Sequence, residues 1–271
     1  MKNKKDTVIL FCCHFLNRHI IKEFNRLKDS CSDKFDVILS YDNTRKDIKM
    51  FDKNKSHIFN IKDIKNLGYP FKEEESIWYH IDYPILHFFL KNPNYKYYWR
   101  VEYDVKFNGN WNIFFENFLE NNSDLIGLYV KNYKDDPNDS FSEDFWPNWN
   151  KTNLKINNDK KMAIFFAIQR FSNRALDLLN KKYKSGIYGF CELIVPTLVN
   201  LAGFKIQDIG KKWYDIDTMR FNDKPLSKKN KLIHPVKNYS LVKKCQLLIL
   251  RLYNFILRKI KNLLKFFYRL L

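Results

Sequence analysis

The chain has 271 residues, 45% of them apolar and 17% aromatic, which excludes a disordered protein and leaves ample length for one cored domain with or without an appendage. A formal net charge of +18 calls for phosphate somewhere, on nucleic acid, anionic lipid or a nucleotide ligand. Five cysteines, two of them the adjacent Cys12 and Cys13 and none at paired spacing, argue against a disulfide framework or a zinc clip and fit a reducing cytosol.

The first apolar run, Thr7 to Cys13, is too short for the core of a signal peptide and reads as a buried strand. Asn17 to Lys28 places Ile20, Ile21, Phe24 and Leu27 at helical spacing, Phe35 to Ser40 is a second strand, and Ser56 to Ile61 a third. Strand, helix and strand in succession predict a parallel sheet whose ligand edge lies at the carboxyl ends of the strands. Asp42 and Asn43 fall on that edge, either to read a base or ribose or to form a turn. No G-x-G-x-x-G follows the first strand and no P-loop occurs, so dinucleotide redox and P-loop chemistry are both poorly supported. Glu73 to Leu90 is predicted helical in two pieces, with Asp82 as the N-cap ahead of Tyr83-Pro84 and with His80 and His87 as core or surface histidines.

The stretch Tyr97 to Phe107, YYWRVEYDVKF, alternates apolar and polar residues, the mark of a strand with one buried face. Glu102 and Asp104 then share a face just before the turn Asn108-Gly109-Asn110. Two carboxylates at a strand end are what Mg²⁺ or Mn²⁺ on a diphosphate requires. Strand residues two apart lie about 6.5 Å from each other, a wide span for one ion with bonds of about 2.1 Å. Asp104 is therefore the expected ligand, and Glu102 reaches a ribose hydroxyl or an ion-bound water. A structural reading, in which Arg100, Glu102, Asp104 and Lys106 pair across the sheet, stays open. With Asp42, Arg100 completes the candidate donor-binding set.

Trp111 to Leu119 is an amphipathic helix and Asp124 to Val130 a strand. The polar stretch Lys131 to Asp159 is long for a loop, and its Trp146 and Trp149 either stack on an acceptor sugar or anchor the loop to the core. Met162 to Gln169 is a buried strand, Ser172 caps a helix over Asn173 to Lys182, and Glu192 opens the apolar helix Leu193 to Leu201. Such a residue is either a dipole-stabilising end group or a positioned base. Phe204 to Ile209 is a short strand, and His234 stands in the extended segment Leu232 to Lys237.

In order, Glu102-Tyr103-Asp104, Glu192 in GFCE and His234 in HPVK resemble a bacterial glycosyltransferase of the GT-A type over roughly residues 5 to 237. The resemblance implies an α/β fold: a single GT-A-like, Rossmann-like domain with a mixed, mostly parallel sheet flanked by helices. It also implies Mn²⁺ or Mg²⁺ held by Asp104, His234 and Glu102, and Glu192 as the base for an acceptor hydroxyl if the reaction inverts. Glu102 departs from the usual aspartate. The partners implied are a nucleotide-sugar donor and a glycan or glycolipid acceptor, as in lipooligosaccharide or capsule assembly.

Residues 238–271 form a separate predicted element. From Leu241 to Leu271 there are eight Lys or Arg and no Asp or Glu, with Leu241, Cys245, Leu248, Leu252, Ile256, Leu263, Phe267 and Leu270 along one stripe. This pattern predicts a basic amphipathic helix that lies on an anionic membrane surface, the inner face of the cytoplasmic membrane, or docks on a protein. Its uncharged runs are far shorter than the roughly 20 residues of a span. A basic nucleic-acid-binding protein is one alternative, but no such motif occurs and acid stands where phosphate would dock, so no nucleic-acid partner is expected. A non-catalytic membrane scaffold is the other.

Overall fold

Residues 5–45, 56–71, 77–137, 146–215, 219 and 229–236 are described by the computed structural model. The tail, and the boundary placed after residue 237, lie outside the described residues, as does the start of the segment Glu73 to Leu90. The chain runs β1 (Thr7–Cys13), α1 (Arg18–Cys31), β2 (Asp36–Asp42), β3 (Ser56–Phe59), α2 (Ile61–Lys65) and α3 (Tyr83–Lys91). It continues through β4 (Tyr97–Glu102), β5 (Lys106–Phe107), α4 (Trp111–Glu116), β6 (Leu125–Asn132), β7 (Met162–Ser172), α5 (Asn173–Lys184), α6 (Cys191–Leu201), β8 (Ile206–Asp208) and β9 (Leu232–Ile233).

Seven strands form one mixed, mostly parallel sheet in the order β3-β2-β1-β4-β7-β6-β8. β1 pairs parallel with β2 and β4, whereas β7 runs antiparallel to both β4 and β6. Helices α1 and α4 bury Phe24, Leu27, Phe114 and Phe115 against Trp99 and Val101 on one face. On the other, α3, α5 and α6 pack Leu86, Leu176, Ile194 and Leu198 around Tyr98 and Phe171. Burying a side chain of that size stabilises by about 1.5–3 kcal/mol before entropy is counted, so both faces are held by ordinary apolar packing.

β4 has both faces buried, Tyr98 and Arg100 as fully as Trp99 and Val101, because helices cover each side of the sheet. The predicted single strand Tyr97 to Phe107 also breaks after Glu102, and β5 pairs with β9 in a small second sheet. Asp82 precedes α3 but makes no cap bond, since the backbone there is already helical. Its carboxylate is buried and accepts the Tyr183 hydroxyl. The predicted cap at Ser172 is present, its side chain accepting from the Ala175 amide. His80 and His87 are core residues, and His87 joins a buried chain in which His57 Nε2 lies 2.8 Å from its Nδ1.

Candidate active site

Strand order locates the site. Strands β1, β2 and β3 step outward in one direction and β4 lies on the other side of β1, so the order reverses between β1 and β4. A crevice at such a reversal, beyond the carboxyl ends of the strands, is where open α/β sheets bind ligands. Glu102 ends β4 there, opposite Cys12 of β1.

The turn after Glu102 is fixed by backbone bonds, Tyr103 N–H to Cys12 O at 2.9 Å and Val105 N–H to Glu102 O at 3.0 Å. It folds Asp104 back over the strand end, so the strand spacing that separated the two carboxylates no longer applies. Pairing of Lys106 with Ile233 then sets the next residue, His234, beside the turn, and Val236 N–H bonds Asp104 O at 2.8 Å. His234 Nε2 lies 3.2 Å from Glu102 Oε2 and 3.4 Å from Asp104 Oδ1. One ligand atom from each of the three residues lies within 4.8 Å of the others, so a single cation fits among them. Two carboxylate oxygens and an imidazole nitrogen make a donor set suited to Mn²⁺ more than to an all-oxygen ion such as Ca²⁺.

Burial works against a charged His234, but hydrogen bonds to Asp104 and Glu102 outweigh it and raise its pKa to about 9. Burial likewise pushes Glu102 upward, yet the Arg100 charge and the His234 hydrogen bond hold it below the usual carboxylate range. Arg100 itself is only 5% exposed. It donates to Glu102 Oε1 at 3.0 Å and to Phe166 O at 2.8 Å, so it braces the site from beneath and offers no cationic surface to a donor.

Glu192 sits in the first turn of α6, 9% exposed, and accepts the Phe166 N–H at 2.8 Å. Burial is the main cause that raises its pKa to about 8, with Glu102 adding to the rise and His234 and Arg100 opposing it. Two of those charged partners, Glu102 and His234, are members of the three-residue cluster. Asp42 ends β2 on the same sheet edge, but its carboxylate closes a turn, accepting the Thr44 N–H at 2.9 Å and the Thr44 hydroxyl.

Trp146 and Trp149 lie in a short 3-10 turn, Trp146–Lys151, half-buried against the core, as the loop-anchor reading expects. Tyr133 meets the Trp146 ring edge-on at 5.1 Å, and Lys161 Nζ stands 4.8 Å over the Trp149 ring. Sequence reasoning passed over His14, Phe15 and Tyr103, whose rings meet in pairs 5.0–5.2 Å apart beside the acidic turn. Their signal was only a His-Phe pair directly after the first strand.

No protein-family model matches the chain, and no curated protein matches it. Solved structures of similar form include the galactosyltransferase LgtC in complex with donor and acceptor sugar analogues, at TM-score 0.40 and 8% identity over 76% of this chain and 74% of that one. A glycosyltransferase involved in glycosylation of the major capsid of PBCV-1 has TM-score 0.34 and 14% identity over 66% of this chain and 65% of that one. The 4-diphosphocytidyl-2C-methyl-D-erythritol synthase of Anaerococcus prevotii has TM-score 0.41 and 14% identity over 75% of this chain and 88% of that one.

Proposed function

We propose that the chain transfers a sugar from a nucleotide-sugar donor to a surface-glycan acceptor, with Mn²⁺ or Mg²⁺ held by Glu102, Asp104 and His234 against the donor diphosphate. The observation that carries this reading is the convergence of those three side chains at the sheet's reversal point. When bound, the cation supplies positive charge against the departing diphosphate.

The chain's own residues supply the rest. Asp104 and His234 are set by the β5–β9 pairing, and Glu102 is fixed through Arg100, so the donor end of the site needs little reorganisation. In a reaction that inverts the anomeric centre, Glu192 takes the proton from the acceptor hydroxyl, and its raised pKa makes it a stronger base than an ordinary carboxylate. Asp42 and the His14-Phe15-Tyr103 rings border the donor end. Trp146 and Trp149 frame the acceptor end, with Lys161 leaving the Trp149 face for stacking to occur. The tail, residues 238–271, holds the enzyme at an anionic inner leaflet beside lipid-linked acceptors. No helix among the described residues is long and apolar enough to cross a membrane.

The test is a thermal-shift series with UDP-, GDP- and CMP-sugars, with and without Mn²⁺. At least one donor is expected to raise the midpoint only when Mn²⁺ is present. Asp104→Asn should remove that shift while its own midpoint stays within a few degrees of the parent. No shift with any donor overturns the reading.

A further inference from the structure

We propose that Arg100 is a positioning residue that ties the two ends of the site together, gripping Glu102 with one guanidinium nitrogen and setting Glu192 with another through the backbone of Phe166. The inference rests on Glu102 as a cation ligand and Glu192 as the base.

The connection is continuous. Nη2 donates to Glu102 Oε1 at 3.0 Å and Nη1 to Phe166 O at 2.8 Å. The N–H of that same Phe166 donates to Glu192 Oε1 at 2.8 Å. Arg100 reaches Phe166 because β4 and β7 run antiparallel, with Arg100 opposite Gln169 and Val101 opposite Ile168, so the guanidinium extends along β7 past the last paired residue. One side chain on the central strand thus fixes a carboxylate on its own strand and another borne by α6.

Little else holds Arg100. Its Nε has no hydrogen-bond partner among the described residues, and neither amide atom of Gln169 has one. The two Nη contacts are therefore its anchors. A planar fork with separate nitrogens can bridge two acceptors, whereas a lysine ammonium is a single point of charge on a shorter reach. With 5% of its surface exposed, Arg100 lies beneath the reacting groups and acts through them.

Two variants of the full chain, Arg100→Lys and Arg100→Met, separate these roles. Mn²⁺ binding is read from the electron paramagnetic resonance of the free ion, and protection of the Phe166 amide from hydrogen exchange. Arg100→Met should weaken Mn²⁺ binding about 10–100-fold, the usual effect of removing a group that orients a ligand. It should also speed Phe166 exchange about tenfold or more. Arg100→Lys should restore Mn²⁺ affinity to within about threefold while leaving Phe166 unprotected, a split that a merely structural role does not give. Unchanged Mn²⁺ affinity in Arg100→Met, or full Phe166 protection in Arg100→Lys, overturns the proposal. Should Arg100→Met fail to fold, Arg100→Lys decides alone. A parent protein that takes up no Mn²⁺ sinks the cation reading instead, and the tie through Arg100 then stands or falls on Phe166 exchange, which needs no ion.

Discussion

Glu192 owes its chemistry to where α6 begins. The helix buries its first turn, so the charged form of the carboxylate is penalised and its pKa rises to about 8 from the ordinary 4.5. The consequences for stability and activity have opposite signs. A raised acid favours the folded state fully below its ordinary pKa, and that contribution is lost as pH rises through about 8. Base catalysis needs the ionised form, so turnover at saturating donor is expected to climb nearly tenfold per unit of pH and level off near or below 8, since a bound cation draws the value down. Glu192→Gln should remove this limb and lower turnover by about 10²- to 10⁴-fold with donor affinity nearly kept. Equal losses in turnover and affinity would make Glu192 structural. Residue types placed Glu102 and Asp104 at a strand end and left Glu192 and His234 open, and the resemblance to GT-A glycosyltransferases is what joined the four into one set. The role of Arg100 was hidden, since its partners are a backbone carbonyl on another strand and a carboxylate equally able to pair elsewhere.

Elements were legible where local periodicity and capping decide them, and obscured where a distant strand decides. Helix α5 and its Ser172 cap follow from spacing and from a hydroxyl that bonds the Ala175 amide. The break after Glu102 does not, because alternation runs on through the turn and only pairing with β9 shows that Lys106 and Phe107 belong to another sheet. Asp82 failed as a cap for a similar reason: the preceding 3-10 turn, Ile77–His80, already leads the backbone into the helix. The approach to α6 depends on such a fit between elements. A methyl group on Gly189 would lie 2.8 Å from Thr152 Cβ and 3.3 Å from Ile194 Cβ. Thr152 donates to Tyr188 O at 2.6 Å, joining the end of the tryptophan turn to the approach to α6. Because a Cβ cannot swing aside without its backbone, Gly189→Ala should cost about 1–3 kcal/mol in urea unfolding and lower turnover by displacing Glu192. Parental stability would show that the two elements yield freely.

For the whole molecule, the sequence indicated the parallel half of the sheet and its ligand edge, but not that β7, beside the central β4, runs antiparallel to both its neighbours. An apolar run buried on both sides carries no mark of its direction, and β7 is such a run, with almost every residue buried. That antiparallel neighbour gives Arg100 its second acceptor, so the feature least visible in the sequence is the one that links the ends of the site. Charge distribution is plainer to read. The eight basic residues between Leu241 and Leu271, free of any acidic one, concentrate positive charge in that stretch. On the proposed membrane reading, each basic residue at an anionic surface would contribute about 1 kcal/mol, and the apolar residues of the predicted amphipathic helix would add burial in the interface. Deleting Leu241 to Leu271 is therefore expected to release the protein from phosphatidylserine-containing vesicles in a sedimentation assay. The full chain's binding should also fall as salt is raised, because the attraction is screened over about 10 Å at 0.1 M. Thermal shifts with Mn²⁺ should be the same with and without the tail, as the three proposed cation ligands all precede it. Vesicle binding undiminished by the deletion would move the membrane contact to the catalytic domain.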